Sequence, residues 1–226
     1  MPESLIDQTL SRSDLAPLAG EGVQLVNCTL DEADLRSLDL SSFVFERCSL
    51  VETNFTGATL EFARFDHCRG AKADFSGANC TEALFADCDF NNGTFHGATL
   101  TSTRFKSCKL TGIDFAKVHT FDIGFVDCLL VAARLPSMNF RKEKLVGIDL
   151  SMADLSDCDF RDASFERSSL REANIERAQF QNADLRGADL GGLNLLKDRT
   201  RFRGAIISAA QAELALGEYG FRVKAK

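Results

Sequence analysis

The sequence predicts an all-β fold, a right-handed quadrilateral parallel β-helix of about eight coils that ends in a short C-terminal helix cap. From Leu25 to Leu195, every fifth residue is Leu, Phe or Ile in 32 of 35 positions, the exceptions being Gly70, Cys80 and Thr120. Neither a helix nor a flat strand turns every fifth side chain inward. The chain must therefore turn a corner every five residues, and four corners close one coil.

The placement of charge supports this period. Residues 21–195 contain 45 charged side chains, and of the 70 positions predicted to point inward only one, Glu143, is charged. Unpaired charges are costly to bury, so the pattern is the one that a solenoid with a closed core requires.

A second period of twenty residues is carried by cysteines, which predicts that they stack on one inward face. We interpret them as small apolar side chains that fit a narrow inward position. The six that follow this period are Cys28, Cys48, Cys68, Cys88, Cys108 and Cys128.

The next cysteine, Cys158, comes thirty residues after Cys128, which indicates an insertion of about ten residues. We place a projecting loop at 136–145, because Pro136 cannot donate a ladder hydrogen bond and Glu143 is the single inward charge. The alternative is that the coil continues through this segment with a bulge.

Three segments follow from this interpretation. Residues 1–20 form an N-terminal cap, in which Pro17 and Gly20 predict irregular structure. Residues 21–198 form the solenoid. Residues 199–226 form a C-terminal helix and tail that close the open end of the last coil, because an uncovered coil edge invites pairing with other chains.

The C-terminal helix has clear boundary signals. Ser208 and Gln211 have the spacing of a capping box, Ala209–Leu216 favours helix, and Gly217 is a good C-terminal stop. An apolar face on so short a helix needs burial against the last coil or a second subunit. A short strand is predicted after it, from the alternation of Tyr219, Phe221 and Val223.

Composition excludes several classes of function. The net charge of −7 argues against direct nucleic-acid binding, which needs a basic face, and favours a basic partner. The sequence shows no 18-residue apolar run and no secretory leader pattern, so we expect a cytoplasmic protein without membrane contact.

No constellation of catalytic or metal-ligating residues is apparent, so we expect no enzyme activity, no cofactor and no metal ion. His67 and Cys68 are neighbours in sequence, but the period places the thiol inside and the imidazole outside. A catalytic or redox use of the cysteines is the remaining chemical hypothesis, and slow, denaturant-dependent thiol labelling would dismiss it.

Charge along the chain divides into blocks. Residues 1–100 carry 16 acids and 6 bases, whereas residues 101–144 carry 4 acids and 8 bases. Many of the acids stand just before a central residue, where a turn favours Asp or Asn, so they serve either the turn or a partner.

Apolar and basic residues together suit a contact surface, unless the loop folds back and buries the apolar residues. The predicted partner-binding loop residues are Met138, Phe140, Arg141, Lys142 and Lys144, and the adjacent surface residues are Phe121, Val126, Leu129 and Val131.

The units ADLRG and ADLSD are those of the pentapeptide-repeat family, which the chain resembles over nearly its whole length. The ending RGAIISAAQAELALGEYGFRV resembles that of the quinolone-resistance group, the Qnr and mycobacterial fluoroquinolone-resistance proteins. This resemblance implies a homodimer joined through the C-terminal helix into an acidic, DNA-mimicking rod. The residues assigned to the dimer interface are Ile206, Ile207, Leu214, Leu216, Tyr219 and Phe221.

The resemblance further implies a protein that binds DNA gyrase or topoisomerase IV and protects it from quinolones or other gyrase poisons, conferring resistance or self-immunity. Relatives with projecting loops usually have two, whereas only one is predicted here. The alternative hypothesis is a protein-interaction scaffold with no link to topoisomerase.

Overall fold

The computed structural model describes residues 4–195, 200–217 and 220–223. Two compact units divide the chain, Met1–Arg134 and Leu135–Lys226. Each unit is a parallel β-solenoid in which one turn takes twenty residues, as the sequence predicts. A corner residue in the left-handed backbone region recurs at intervals of five, and most of these residues are polar.

In the first unit, one face of every turn is a three-residue strand that pairs in parallel with the strand twenty residues later. Leu25 lies opposite Phe45, and Phe45 lies opposite Phe65. The other faces form isolated parallel bridges in the same register. The strands are β1 (Ser4–Ile6), β2 (Gln24–Val26), β3 (Val44–Glu46), β4 (Arg64–Asp66), β5 (Leu84–Ala86), β6 (Arg104–Lys106) and β7 (Gly124–Val126).

The solenoid begins earlier than residue 21. Strand β1 pairs with β2, so the first coil starts inside the segment that the sequence assigned to a cap. Helix α1 (Arg12–Leu15) and a 3₁₀ helix (Ala16–Leu18) then replace the regular corner. Pro17 lies in the 3₁₀ helix, where its missing N–H removes no ladder hydrogen bond.

Phenylalanine rings stack in two columns inside the first unit. The ring centroids of Phe45 and Phe65 are 4.6 Å apart, and those of Phe55 and Phe75 are 4.7 Å apart. Rings of one column meet those of the other edge to face, as Phe55 and Phe65 do with an interplanar angle of 90°. Both arrangements are favourable for aromatic pairs, so the core gains packing energy beyond simple burial.

The second unit continues the same fold. Strands β8 (Lys144–Val146) and β9 (Ser164–Glu166) pair with Leu145 opposite Phe165, and β10 (Ser168–Ser169) pairs with β11 (Ala188–Asp189). Helix α2 (Ala209–Gly217) follows, as predicted.

The prediction of a projecting loop at 136–145 was wrong, because the coil continues through this segment. The N–H groups of Ser137, Phe140 and Lys142 each donate to a carbonyl nineteen residues later, at 2.8 to 2.9 Å. Strand β8 keeps the twenty-residue spacing, so no residues are inserted. In the twenty-residue spacing of the sequence, the positions that follow Cys128 are Ile148 and Ser168, and Cys158 falls at a different inward position.

Both sequence anomalies have a local explanation. At the corner position of Pro136, the N–H in other turns donates to a side chain two residues earlier, as Ser76 does to Asp74 and Ser156 to Asp154. That N–H belongs to no ladder, so proline costs nothing there. Glu143 occupies a nominally inward position but is exposed.

Near the C-terminus, the coil lengthens. The N–H of Phe180 donates to the carbonyl of Arg201, whereas in regular turns the acceptor is nineteen residues ahead, as in Leu50 to Arg69. The ring of Phe202 stacks on that of Phe180 at 5.1 Å. Thus the solenoid runs beyond residue 198, with two additional residues in this turn.

The predicted capping box is confirmed. The N–H of Ser208 donates to Oε1 of Gln211 at 2.7 Å, and the N–H of Gln211 donates to the Ser208 hydroxyl at 3.2 Å. The predicted strand after the helix is not formed by residues 220–223, and Tyr219 lies outside the described residues. None of the helices in the described part of the chain is long and apolar enough to cross a membrane.

Candidate partner-binding surface

The residues predicted to form a partner-binding loop have different environments. Met138 and Phe140 are buried at 2% and 3% exposure, so neither is available to a partner. Arg141, Lys142 and Lys144 are exposed on the surface of the second unit. Lys144 Nζ pairs with Glu166 at 3.0 Å and Arg141 Nε with Asp162 at 3.5 Å. The prediction of a contact loop was therefore wrong. What this segment presents to a partner is three basic side chains on a regular coil.

The adjacent apolar residues lie in the last turn of the first unit. Phe121, Val126 and Leu129 are exposed, Phe121 to 75%, and Val131 is half-buried. In the preceding turn, Lys106 lies opposite Val126 and Lys109 lies opposite Leu129. A basic and an apolar row therefore lie side by side, and the bases in it are Lys106 and Lys109, not the predicted Arg141, Lys142 and Lys144.

Many carboxylates have a structural role in the corners. Asp74 Oδ1 accepts a hydrogen bond from the N–H of Ser76 at 2.8 Å, and Asp114 Oδ1 accepts one from Ala116 at 2.8 Å. Hydrogen bonds of this kind favour Asp and Asn at the turn. Asp34 is also paired with Arg36, which holds the pKa of the Asp34 carboxyl at about 2.

Other carboxylates remain available to a partner. Glu61 and Glu82 form no ion pair with any described residue, although Glu61 Oε1 accepts a hydrogen bond from Asn79 Nδ2 at 2.6 Å. Both belong to the acidic block 1–100. The acidic character of the first unit is therefore shared between turn formation and unpaired surface charge.

The inward cysteines are buried and none forms a disulfide within the described residues. Cys48 Sγ lies 3.4 Å from the carbonyl oxygen of Leu25, and Cys108 Sγ lies 3.4 Å from that of Phe85. Ser168 makes the equivalent bond to Leu145 at 3.2 Å. Cysteine and serine at this position thus donate to the preceding turn, a role that the interpretation as a small apolar residue missed.

His67 and Cys68 face opposite ways, as the period predicts. Cys68 is buried, whereas His67 is exposed and its Nδ1 lies 2.7 Å from Oδ1 of Asp66. The neighbouring carboxylate raises the pKa of His67. Asp66, His67 and Asp87 offer ligand atoms within 4.8 Å of one another on the surface, without a buried donor that would favour a metal ion over water.

The residues assigned to a dimer interface are mostly accessible. Leu214 and Phe221 are 73% and 64% exposed, and Ile206 is 48% exposed. Ile207 and Leu216 are half-buried, and Tyr219 lies outside the described residues. Gln211 fixes helix α2 to the coil, because its Nε2 donates to the carbonyls of Leu185 and Ala188, each at 2.7 Å.

Sequence reasoning missed one exposed aromatic residue, Phe62. Its ring is 52% exposed although its backbone φ is +59°, in the left-handed region that bulky apolar residues avoid. The signal was present, because Phe62 is a phenylalanine that does not fall at an inward position of the five-residue period.

Comparison with known proteins agrees with the repeat. A family model for a pentapeptide repeat region matches residues 21–95 and 98–175, and a model for pentapeptide repeats in eight copies matches residues 78–115. A search of curated protein sequences gives no significant match.

Among solved structures, the chain is similar to two trypsin-treated variants of QnrB1, a plasmid-mediated fluoroquinolone resistance protein. The match to the first has a TM-score of 0.61 at 22% identity, and it covers 100% of this chain and 99% of the QnrB1 chain. The second has a TM-score of 0.56 at 22% identity and covers 99% of each. At this identity, the similarity establishes the shared fold.

Proposed function

The chain belongs to the pentapeptide-repeat family, and from that premise we propose that it binds a type II topoisomerase by imitating DNA. In this proposal, it protects DNA gyrase or topoisomerase IV from quinolones or other gyrase poisons. Resistance or self-immunity would follow. On this proposal, the protein acts in the cytoplasm.

The observation that carries this proposal is the acidic surface of residues 1–100, within the first unit. Residues 1–100 have ten more acids than bases, with 16 against 6, and Glu61 and Glu82 form no ion pair among the described residues. An acidic surface attracts a basic DNA-binding groove and raises the rate of encounter. The fold shared with QnrB1, a fluoroquinolone resistance protein, supports the same function.

The corrected loop changes how protection would work. Since residues 136–145 form a regular coil, we infer that protection acts through the coil surface rather than through a loop reaching toward the drug. Arg141, Lys142 and Lys144 then contribute as surface charges.

We also propose that the protein is a homodimer joined through its C-terminal residues. Leu214, Phe221 and Ile206 expose apolar side chains that a second copy would cover. Light scattering coupled to size exclusion should give twice the mass of 24.8 kDa for the chain, and a Leu214→Glu variant should give the monomer mass.

A gyrase supercoiling assay tests the main proposal. Purified protein is titrated with and without a fluoroquinolone, and rescue of supercoiling in the presence of the drug is the expected result. A Phe85→Asp variant, which should not fold, is a control of nearly identical composition. If the folded protein shows no rescue and no binding, the topoisomerase function is excluded.

A second candidate is a protein-interaction scaffold with no link to topoisomerase. The observation that favours it is the regular coil at 136–145, because this segment does not form the projecting loop that was predicted to bind the partner. Normal folding together with no affinity for gyrase or topoisomerase IV would select this candidate.

A further inference from the structure

Phenylalanine in the first unit is almost entirely a core residue. Of its 13 phenylalanines, 11 are at most 4% exposed, and the two exceptions are Phe62 and Phe121 at 52% and 75%. An exposed large apolar side chain gives up the free energy of burial, and exposed apolar residues that lie together mark contact sites. These two rings are therefore informative.

Both rings lie on the same corner of the coil. The N–H of Phe62 donates to Thr81 O at 3.0 Å, the N–H of Glu82 to Thr101 O at 2.8 Å, and the N–H of Ser102 to Phe121 O at 2.7 Å. Three consecutive ladder bonds therefore connect the two residues. Since neighbouring strands are about 4.8 Å apart, three turns separate the backbones of the two residues by about 14 Å along the corner.

The local backbone gives no reason for a phenylalanine at residue 62. Of the 28 described non-glycine residues with positive φ, 25 are polar or charged, the others being Phe62, Ala132 and Met152. Asn and Asp are the side chains that this conformation favours. Neither the conformation of the turn nor the packing of the core thus explains a phenylalanine at residue 62.

The charges beside the rings point to the nature of the partner. Glu61 precedes Phe62 and Glu82 follows it by one turn, and neither forms an ion pair among the described residues. Asp122, beside Phe121, is neutralised by Arg104 Nη2 at 2.6 Å. A partner that faces this corner therefore meets negative charge around one ring and balanced charge around the other.

We propose that Phe62 and Phe121 are two apolar anchors that insert into pockets about 14 Å apart on a basic protein surface, with Glu61 and Glu82 contacting its bases. These four residues form the corner ridge. On the proposed function, on which this inference rests, the partner surface is the DNA-binding groove of the topoisomerase. DNA presents no such side chains, so the ridge adds an attraction that DNA lacks.

Charge and apolar contacts contribute differently to binding. Carboxylates act mainly on encounter and are weakened by salt, whereas buried aromatic anchors lie in water-excluded centres and slow dissociation. Loss of the rings should therefore weaken binding at every salt concentration. Neutralising Glu61 and Glu82 should instead reduce the dependence on salt.

The test measures the Kd for purified DNA gyrase holoenzyme at two salt concentrations. Phe62→Asn and Phe121→Ser should each raise Kd at least tenfold, and the double variant more, with an unchanged salt dependence. Asn favours positive φ, so Phe62→Asn should fold at least as well as the native protein. Its melting temperature checks this point.

Met152 provides the matched control, because it is 55% exposed at φ +57° but lies in the other unit. Met152→Asn should leave Kd within twofold. If the native protein binds gyrase and the double variant binds equally well, the ridge is not an anchor and the proposed function stands. If the native protein does not bind gyrase, the proposed function fails, and this inference with it.

Discussion

The ring of Phe90 occupies the space in which a side chain at residue 70 would lie. A Cβ atom added to Gly70 would be 2.6 Å from Cδ1 of Phe90, closer than non-bonded carbon atoms approach. Phe90 in turn meets Phe65, Phe75 and Phe85 edge to face, at centroid distances of 5.4 to 6.0 Å. Residue 70 is thus a glycine because the large ring of Phe90, one turn later, fills the space beside it.

Gly70→Ala should destabilise the protein by roughly 1–3 kcal/mol, because an overpacked core forces side chains or backbone to move. Phe90→Leu should also destabilise it, by leaving a cavity. The double variant Gly70→Ala with Phe90→Leu should lose less than the sum of the two, and denaturant unfolding of all four proteins measures this coupling. Strict additivity would show that the two positions do not compete for space.

Phe85→Asp should prevent folding. Phe85 is fully buried and stacks on Phe65 at 4.6 Å and on Phe105 at 4.8 Å. An unpaired carboxylate there costs more than about 4 kcal/mol, a large part of the stability of an ordinary domain. Phe121→Asp makes the same substitution at an exposed ring, so it should melt close to the native protein. A cooperative native-like transition in the Phe85→Asp protein would contradict the buried column.

Periodicity predicted the fold because every turn has the same pattern of inward-facing positions. It did not show which residue type occupies each inward position, and this is why the loop was predicted. The twenty-residue positions after Cys128 hold Ile148 and Ser168, and the next cysteine, Cys158, comes thirty residues later, so the spacing of cysteines alone indicates an insertion that the second unit does not contain. The unusual residue Pro136 occupies a corner whose N–H joins no ladder.

Side-chain donors were less predictable from the sequence. The hydroxyl of Thr53 donates to Leu30 O and that of Thr103 to Cys80 O, each at 2.7 Å, as the thiols and Ser168 do elsewhere. This shared geometry appears only once the turns are stacked. The exposed corner of Phe62 was overlooked for a related reason, because a period defines what points inward and is silent about the outside.

The pKa of His67 should depend on Asp66. The hydrogen bond and charge of Asp66 are the main causes that raise this pKa, and Asp87 contributes less. Protonated His67 therefore stabilises the fold below its unfolded pKa of about 6.5, and this effect is lost as pH rises through the higher folded value. NMR titration should show a fall in the His67 pKa in Asp66→Asn and a smaller one in Asp87→Asn. An unchanged value in Asp66→Asn would contradict the pairing.

The thiols of Cys80 and Cys158 should be unreactive at neutral pH. Burial raises the pKa of Cys158 to about 12, and it also raises the pKa of Cys80. Because the thiolate is the reactive form, labelling should be slow and should accelerate with denaturant. The pKa of Cys158 is higher in the folded protein than its unfolded value of 9.0. Burial of the neutral thiol therefore contributes fully to the stability of the fold below pH 9, and this contribution is lost as the pH rises further. Rapid labelling of the native protein would instead support a redox role.

Gln211 should decide whether helix α2 stays on the coil. Its amide joins three carbonyl or amide groups: Nε2 donates to Leu185 O and Ala188 O, while Oε1 accepts from Ser208 N–H. Leu185 O is the carbonyl to which an inward Cys or Ser would donate if another turn followed, so the glutamine replaces the missing turn.

Gln211→Ala leaves these groups without their partners and removes half of the capping box, which should cost roughly 1–3 kcal/mol. The expected result is faster amide hydrogen exchange in 209–217 with little change in turns of the first unit. Glu213→Ala is the control on the same helix, because Glu213 is exposed and forms no ion pair among the described residues. Equal exchange in the two variants would mean that the apolar contacts of the helix, and not Gln211, hold it on the solenoid.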